Sequence, residues 1–359
     1  MGRTSNIGIL GIGTYLPEHV RKNDWWPAEV VAEWTEKRAK ARAKLEAKPT
    51  SEGMARVMRA MAALQDDPFQ GAVERHVMDD QMVAVDMEVR AAKQAIERAG
   101  IDPRAIDLVL THTTVPEYLL TNTACLLHHR LELSTGCFTM ATEGSANSFL
   151  MQLTLAEQMI AGKRARFALL VQSCSVTRLL DARDPLSPLF GDGATAVVVG
   201  PVAEGRGILG TTQRTDGSAN RTLVASVTNG RWYDEGRVVL HSPDPVGARR
   251  VFLETADLGK EAVDAALAEA GQQASDVGFF AVHQGTPWFR EVMQAHFALD
   301  AAASVDSFAS TGYLFAASIP LGLAIGQQEG RLRPDDLLVM FGGGTGLTYG
   351  STVIRWGGS

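Results

Sequence analysis

The chain has 359 residues, 45% of them hydrophobic and 21% charged, with a formal net charge of −7. That length buries roughly three quarters of the unfolded surface, enough for two domains or one large duplicated unit, and excludes disorder, collagen and coiled coil as dominant states. The acidic balance, 34 Lys and Arg against 41 Asp and Glu, excludes a global pull toward nucleic acid or anionic membrane.

The amino terminus, MGRTSNIGILGIGTYLPEH, is Gly-rich and lacks a small-residue cleavage site. It predicts a first strand from Ile7 to Ile12 and no signal peptide. No run of about 18 apolar residues occurs, so no membrane span is expected. Around Trp34 the segment EWTEKRAKARAKLEAK, which begins at Glu33, reads as a charge-laced helix. A break at Pro49 to Gly53 follows, then a second helix, MARVMRAMAALQ, ended by Asp-Asp-Pro. These residues, 34–65, are expected as a helical insertion. They form a solvated cap, or else a lid, dimer contact or docking face whose Lys37, Arg38, Lys40, Arg42 and Lys44 meet an acidic partner or a phosphate.

Beyond the insertion, helical spacing runs from Val83 to Ala99 and stops at Gly100, and a strand is expected from Asp107 to Thr113. A helix from Ser148 to Ile160 stops at Gly162. Strands follow from Ala168 to Ser173 and from Ala194 to Val199. A helix from Lys260 to Ala270 stops at Gly271, and strands run from Phe279 to Val282 and from Leu337 to Phe341. The strands are short and apolar on both faces, as in a covered sheet, and alternate with helices, which predicts a layered α/β fold.

An internal repeat organises these elements. AGIDPRAIDLVLTH, Ala99 to His112, lies over AGQQASDVGFFAVH, Ala270 to His283, at an offset of 270 − 99 = 171. AGKRARFALLV, Ala161 to Val171, lies over EGRLRPDDLLV, Glu329 to Val339, at an offset of 168. Two matches in the same order predict a duplicated unit, with halves at 1–200 (including the insertion at 34–65) and 201–359.

Two glycine motifs invite a phosphate-binding reading and fail it. GIGTYL from Gly11 lacks the third glycine of a dinucleotide fingerprint, and FGGGTG from Phe341 lacks the Lys-Ser/Thr of a P-loop. The second reads instead as a Gly-rich turn between strands, where backbone N–H groups approach a ligand closely. His283 ends a strand and opens a turn, a usual position for a displayed catalytic side chain. Cys125, Cys137 and Cys174 read as small buried hydrophobes. Three cysteines are too few for a disulfide scaffold and suit a reducing cytoplasm.

Several of these segments together resemble the β-ketoacyl-ACP synthase III family: VHQG at Val282, LFAASIP at Leu314, LLVMFGGG, TYGS, FGDGATAVVV at Phe190, GTYLPE at Gly13 and GAVERHV at Gly71. The resemblance implies a thiolase-like fold, with two pseudo-equivalent five-stranded halves in an α-β-α-β-α arrangement, and a homodimer. It implies an acyltransferase of fatty-acid-like or specialised metabolism whose donor is an acyl-CoA or acyl carrier protein. No cofactor and no metal are implied beyond that substrate. A small-molecule acceptor completes the reaction, by C–C condensation or by O- or N-acylation.

The family uses a Cys, a His and an Asn. His283 matches the His, and Gly343 matches the glycine region that supplies an oxyanion N–H. The Cys position, three residues before Phe149 at the start of the helix leading to AEQ, is Ala146, and the Asn position is Tyr313. Three readings of Ala146 stand side by side. It is an engineered Cys→Ala change that traps an acyl ligand, a natural absence of the nucleophile, or a sign that the nucleophile is displaced to Ser145 with His283 as its base. A catalytically silent subunit partnering an active homologue is the alternative to an enzyme.

Overall fold

The computed structural model describes residues 5–42 and 48–357. The first half carries β1 (Ile7–Tyr15), β2 (Val20–Lys22), α1 (Ala28–Arg42), α2 (Glu52–Ala63), β3 (Glu74–His76), α3 (Ala84–Ala99), β4 (Leu108–Thr113), α4 (Thr123–Arg130), β5 (Phe138–Ala141), α5 (Ser148–Ala161), β6 (Ala168–Cys174) and β7 (Gly193–Pro201). The second half carries β8 (Gly207–Thr215), β9 (Val224–Val227), β10 (Val238–His241), α6 (Pro245–Ala270), β11 (Val277–Val282), α7 (Phe289–His296), β12 (Ala303–Ser304), α8 (Phe308–Thr311), α9 (Ser318–Gln328), β13 (Leu337–Gly344) and β14 (Thr348–Arg355).

The two principal sheets have one topology. The first runs β5-β4-β6-β7-β1 and the second β12-β11-β13-β14-β8. In each, the first three strands are parallel and the last two join antiparallel. The offset of 171 holds for β4 and β11. Strand pairing corrects the offset of 168. Leu108 pairs with Ala168 and Phe279 with Leu338, so the partner strands are related by 338 − 168 = 170. A two-residue slip leaves every side chain on its own face, so the apolar pattern alone does not detect it.

The layering follows from which faces are apolar. One cluster joins Leu108, Leu110 and Leu170 of the first sheet, Phe149, Leu150 and Leu153 of α5, Ile319 and Leu323 of α9, and Phe279, Leu338 and Met340 of the second sheet. Thus α5 and α9 are sandwiched between the sheets. Helix α3 covers the outer face of the first sheet and α6 that of the second. Close approach of α3 explains Gly11 and Gly13 of β1. A Cβ on Gly13 would sit 2.0 Å from the Ala91 carbonyl oxygen. Helix α6 starts well before Lys260, at Pro245, where Asp244 caps it by accepting the Gly247 N–H at 2.9 Å.

The insertion is solvated on its outer face and packed on its inner one, and its first helix begins at Ala28, six residues before Trp34. Trp34 is fully buried against Trp26 and Phe69, and its Nε1 donates to the Arg183 carbonyl at 2.8 Å. Val57 of α2 joins the core beneath α6 and α7. Lys44 lies outside the described residues.

Three carboxyl groups among the described residues are buried inside the first half, Glu88, Glu157 and Asp192. Glu88 of α3 accepts hydroxyl hydrogen bonds from Thr113 and Ser173, both at 2.6 Å, through Oε1, and its Oε2 has no partner. Burial raises its pKa from 4.5 to about 7, against the pull of the two hydroxyls. The folded state therefore holds a proton that the unfolded chain releases between those values, and stability falls as pH rises from about 4.5 to about 7. Glu88→Gln keeps an acceptor without the charge. It is expected to be more stable than the parent at pH 8, by up to about 3 kcal/mol, and to lose that advantage near pH 4. Denaturant melts at the two pH values measure this, and an equal difference at both would refute it.

Candidate active site

Ala146 lies in a single 3-10 turn, Ser145–Asn147, that runs directly into α5. Ser145 opens the turn with φ of 51°, in the left-handed region that side chains disfavour. Local hydrogen bonds hold it there. Glu143 Oε1 accepts the Ser145 N–H at 2.7 Å, and Ser148 Oγ accepts the Gly144 N–H at 2.9 Å. The Gly144 carbonyl accepts the Asn147 N–H at 3.0 Å and the Thr348 hydroxyl at 3.1 Å. Ala146 is fully buried in a cluster with Cys174, Phe190, Phe315 and the partly buried Tyr313.

The glycine run expected as a turn is instead the end of strand β13, and the turn is residues 345–347. Its glycines are needed because the strand is pressed against the start of α5. A Cβ on Gly344 would lie 2.0 Å from the Gly144 carbonyl oxygen and 3.0 Å from Ser145 Cβ. This contact brings β13 and residues 144–147 together.

His283 stands one residue beyond β11, buried, with its backbone N–H on the Phe341 carbonyl at 3.3 Å. Its Nδ1 accepts the Gly343 N–H at 3.1 Å. That hydrogen occupies the Nδ1 lone pair, so the ring proton of the neutral imidazole sits on Nε2. Burial pushes the pKa down to about 4, with the Phe341 carbonyl opposing the shift. His283 is therefore a neutral ring that offers an Nε2–H, and in this tautomer it donates rather than abstracts. Two expectations change. The Gly343 N–H is spent on His283 and is not free for an oxyanion, because the parallel register of β11 and β13, with Val282 beside Phe341, sets Gly343 next to the imidazole. His283 is correspondingly not set up as the base for Ser145.

Tyr313 packs its ring 6.1 Å from that of His283 and stacks on Phe315 at 4.7 Å. Burial first, then Cys174, raises its phenol well above the usual range, so it stays a neutral O–H. The cysteines divide. Cys174 is buried, and burial followed by Asp192 raises its thiol well above the ordinary value. Cys125 is exposed and Cys137 half-buried, which corrects the expectation that all three are interior. Both belong to the outer margin of the first sheet, on α4 and just before β5. The pairing of His112 with Glu143 was not legible in the sequence. His112 served only as the repeat counterpart of His283, and nothing in its spacing marks a partner on another element.

Comparison with known proteins points to the same fold. Residues 141–217 match the model of 3-oxoacyl-[acyl-carrier-protein (ACP)] synthase III, and residues 267–356 match that of its C-terminal region. The β-ketoacyl-[acyl-carrier-protein] synthase III of Staphylococcus saprophyticus is 29% identical over 358 residues, 98% of this chain and 99% of the relative. The crystal structure of 3-oxoacyl-(acyl carrier protein) synthase III from Pseudomonas aeruginosa PAO1 is 27% identical, superposes with a TM-score of 0.78 and is matched over 98% of both chains. The Aquifex aeolicus VF5 structure of the same name, at 24% identity, shares the fold with a TM-score of 0.79 over 98% of this chain and 100% of that one. The chain is a β-ketoacyl-ACP synthase III-like member of the thiolase-like superfamily.

Proposed function

We propose that this chain is an acyltransferase that takes an acyl group from a CoA or carrier-protein thioester and passes it to a second small molecule. The observation that carries this reading is the hydrogen bond from Gly343 to His283. It fixes an Nε2–H donor in the buried cluster where β13 meets the start of α5. A helix start offers unpaired N–H groups and a partial positive charge. A thioester carbonyl held there would be polarised by donors that need no reorganisation. The names of the relatives support the same class of chemistry.

Tyr313 bears on the acceptor. A decarboxylative condensation draws on an amide donor at that position in the family, and Tyr313 supplies a stacked phenol instead. Transfer to a hydroxyl or amine requires no carbanion, and we favour it. Only Ala146 speaks for a silent-subunit role.

The assembly we infer is a homodimer. The outer edge of β5 has no strand partner among the described residues, with Phe138 exposed on it and Leu119 and Leu120 exposed in the loop between β4 and α4. An apolar sheet edge left open is a pairing surface. The three unpaired cysteines suit the cytoplasm.

Two expectations follow. Static light scattering at micromolar concentration should give twice the chain mass, and a monomer would count against the dimer. Calorimetric titration with acyl-CoA and acyl-carrier donors should show binding, while peptide mass spectrometry shows no acyl group on residue 146. Ala146→Cys should become acylated by the donor that binds, and His283→Ala should slow transfer ~100- to 1,000-fold through loss of one oxyanion donor. If neither the parent nor Ala146→Cys binds any donor, the acyltransferase reading fails.

A further inference from the structure

The duplicated frame builds the His283 station twice. His112 is its counterpart (283 − 112 = 171), Glu143 that of Tyr313 (313 − 143 = 170) and Ser145 that of Phe315 (315 − 145 = 170). The last pair share a left-handed backbone, with φ of 51° and 49°. The second station is aromatic and the first is polar. His112 is 2% exposed, and its Nδ1 lies 3.4 Å from the Thr142 carbonyl and 3.5 Å from Glu143 Oε2. Both neighbours are acceptors, so Nδ1 carries the proton and Nε2 the lone pair. His112 is thus the opposite tautomer to His283.

That Nε2 is buried without a partner, and so is Ser145 Oγ. One carboxylate ties the two residues together, with Oε1 on the Ser145 N–H at 2.7 Å and Oε2 facing His112. Glu143 is 76% exposed, so the cluster lies directly beneath an open surface. Burial holds His112 below its usual pKa, against the pull of Glu143, so the ring keeps its lone pair at neutral pH. Ser145 occupies a strained turn between a strand and a helix, the kind of position that displays a serine nucleophile.

We propose that Ser145, His112 and Glu143 form an acyl-accepting nucleophile set, with Ser145 Oγ as the atom that receives the acyl group. The Ser145 hydroxyl turns toward His112 Nε2, which takes its proton as Oγ attacks the thioester carbonyl carbon. The tetrahedral adduct collapses, the C–S bond breaks, and the imidazolium returns the proton to the departing thiolate. The acyl group is left as an ester on Ser145. A hydroxyl or amine acceptor gives its proton to Nε2 and attacks that ester. As the ester bond to Oγ breaks, the imidazolium reprotonates Ser145. The Thr142 carbonyl accepts the Nδ1–H and holds the tautomer, and the Glu143 carboxylate beside it balances the imidazolium.

This inference rests on the acyl-transfer reading, but its test needs no acyl donor. A fluorophosphonate probe phosphonylates activated serines, and peptide mass spectrometry locates the label. The expected result is a single label on Ser145 that is absent in Ser145→Ala. In His112→Gln, checked for folding by circular dichroism, labelling should slow ~100-fold or more. Glu143→Gln should also slow it. A parent protein that takes no label at Ser145 overturns the proposal, as does labelling that proceeds undiminished in a folded His112→Gln. Labelling without any binding of acyl donors would instead sink the transfer reading and leave Ser145 as an activated serine.

Discussion

Two helices that are buried on nearly every side, α5 and α9, have to be covered from two directions, and the two sheets cover them. Leu150 and Leu153 of α5 and Ile319 and Leu323 of α9 share one cluster with residues from both sheets. Burial of that much apolar surface sets the distance between the sheets. It also fixes where the chain enters each helix. The entry to α5 is the turn at Ser145–Asn147 and the entry to α9 is the turn at Phe315–Ala317. Backbone donors and strand-end side chains therefore gather at these entries because of packing, before any chemistry is asked of them.

The chemistry then depends on which atom each neighbouring backbone group presents. Gly343 presents an N–H to His283, and Thr142 presents a carbonyl to His112. The same side chain at equivalent places in the two halves is thereby given opposite tautomers, with the ring proton on Nε2 in His283 and on Nδ1 in His112. Duplication supplies the positions, and one backbone group per site supplies the difference. The glycines of β13 belong to this account too. They let the strand approach the Gly144 carbonyl, which a single methyl at Gly344 would prevent.

Much of this was legible in the sequence, for identifiable reasons. The buried strands are apolar on both faces and the helices stop at Gly100, Gly162 and Gly271, so element type and order could be read. The repeat offset of 171 marked the duplication. The offset of 168 was two residues off because strand periodicity cannot separate positions of equal parity. The start of α6 was missed because its first turns carry Arg249, Arg250 and Gly247, which blur the apolar stripe. At the site, the positions of Ala146, Tyr313 and His283 came from resemblance. The tautomers did not, since they depend on hydrogen bonds between residues 30 and 60 apart in the chain. Trp34 looked like part of a charged, solvated helix, yet its ring fills a pocket made by Trp26 and Phe69.

The central claim is that buried donors, His283 Nε2–H first among them, polarise a thioester carbonyl beside Ala146. Isotope-edited infrared spectroscopy reads that polarisation directly. An acyl-CoA labelled with carbon-13 at the thioester carbonyl is bound to the parent protein and to His283→Ala. The account predicts a carbonyl stretch shifted to lower frequency on the parent and a smaller shift on the variant. A bound thioester whose carbonyl frequency matches that in water, or one whose shift is the same with and without His283, would contradict it.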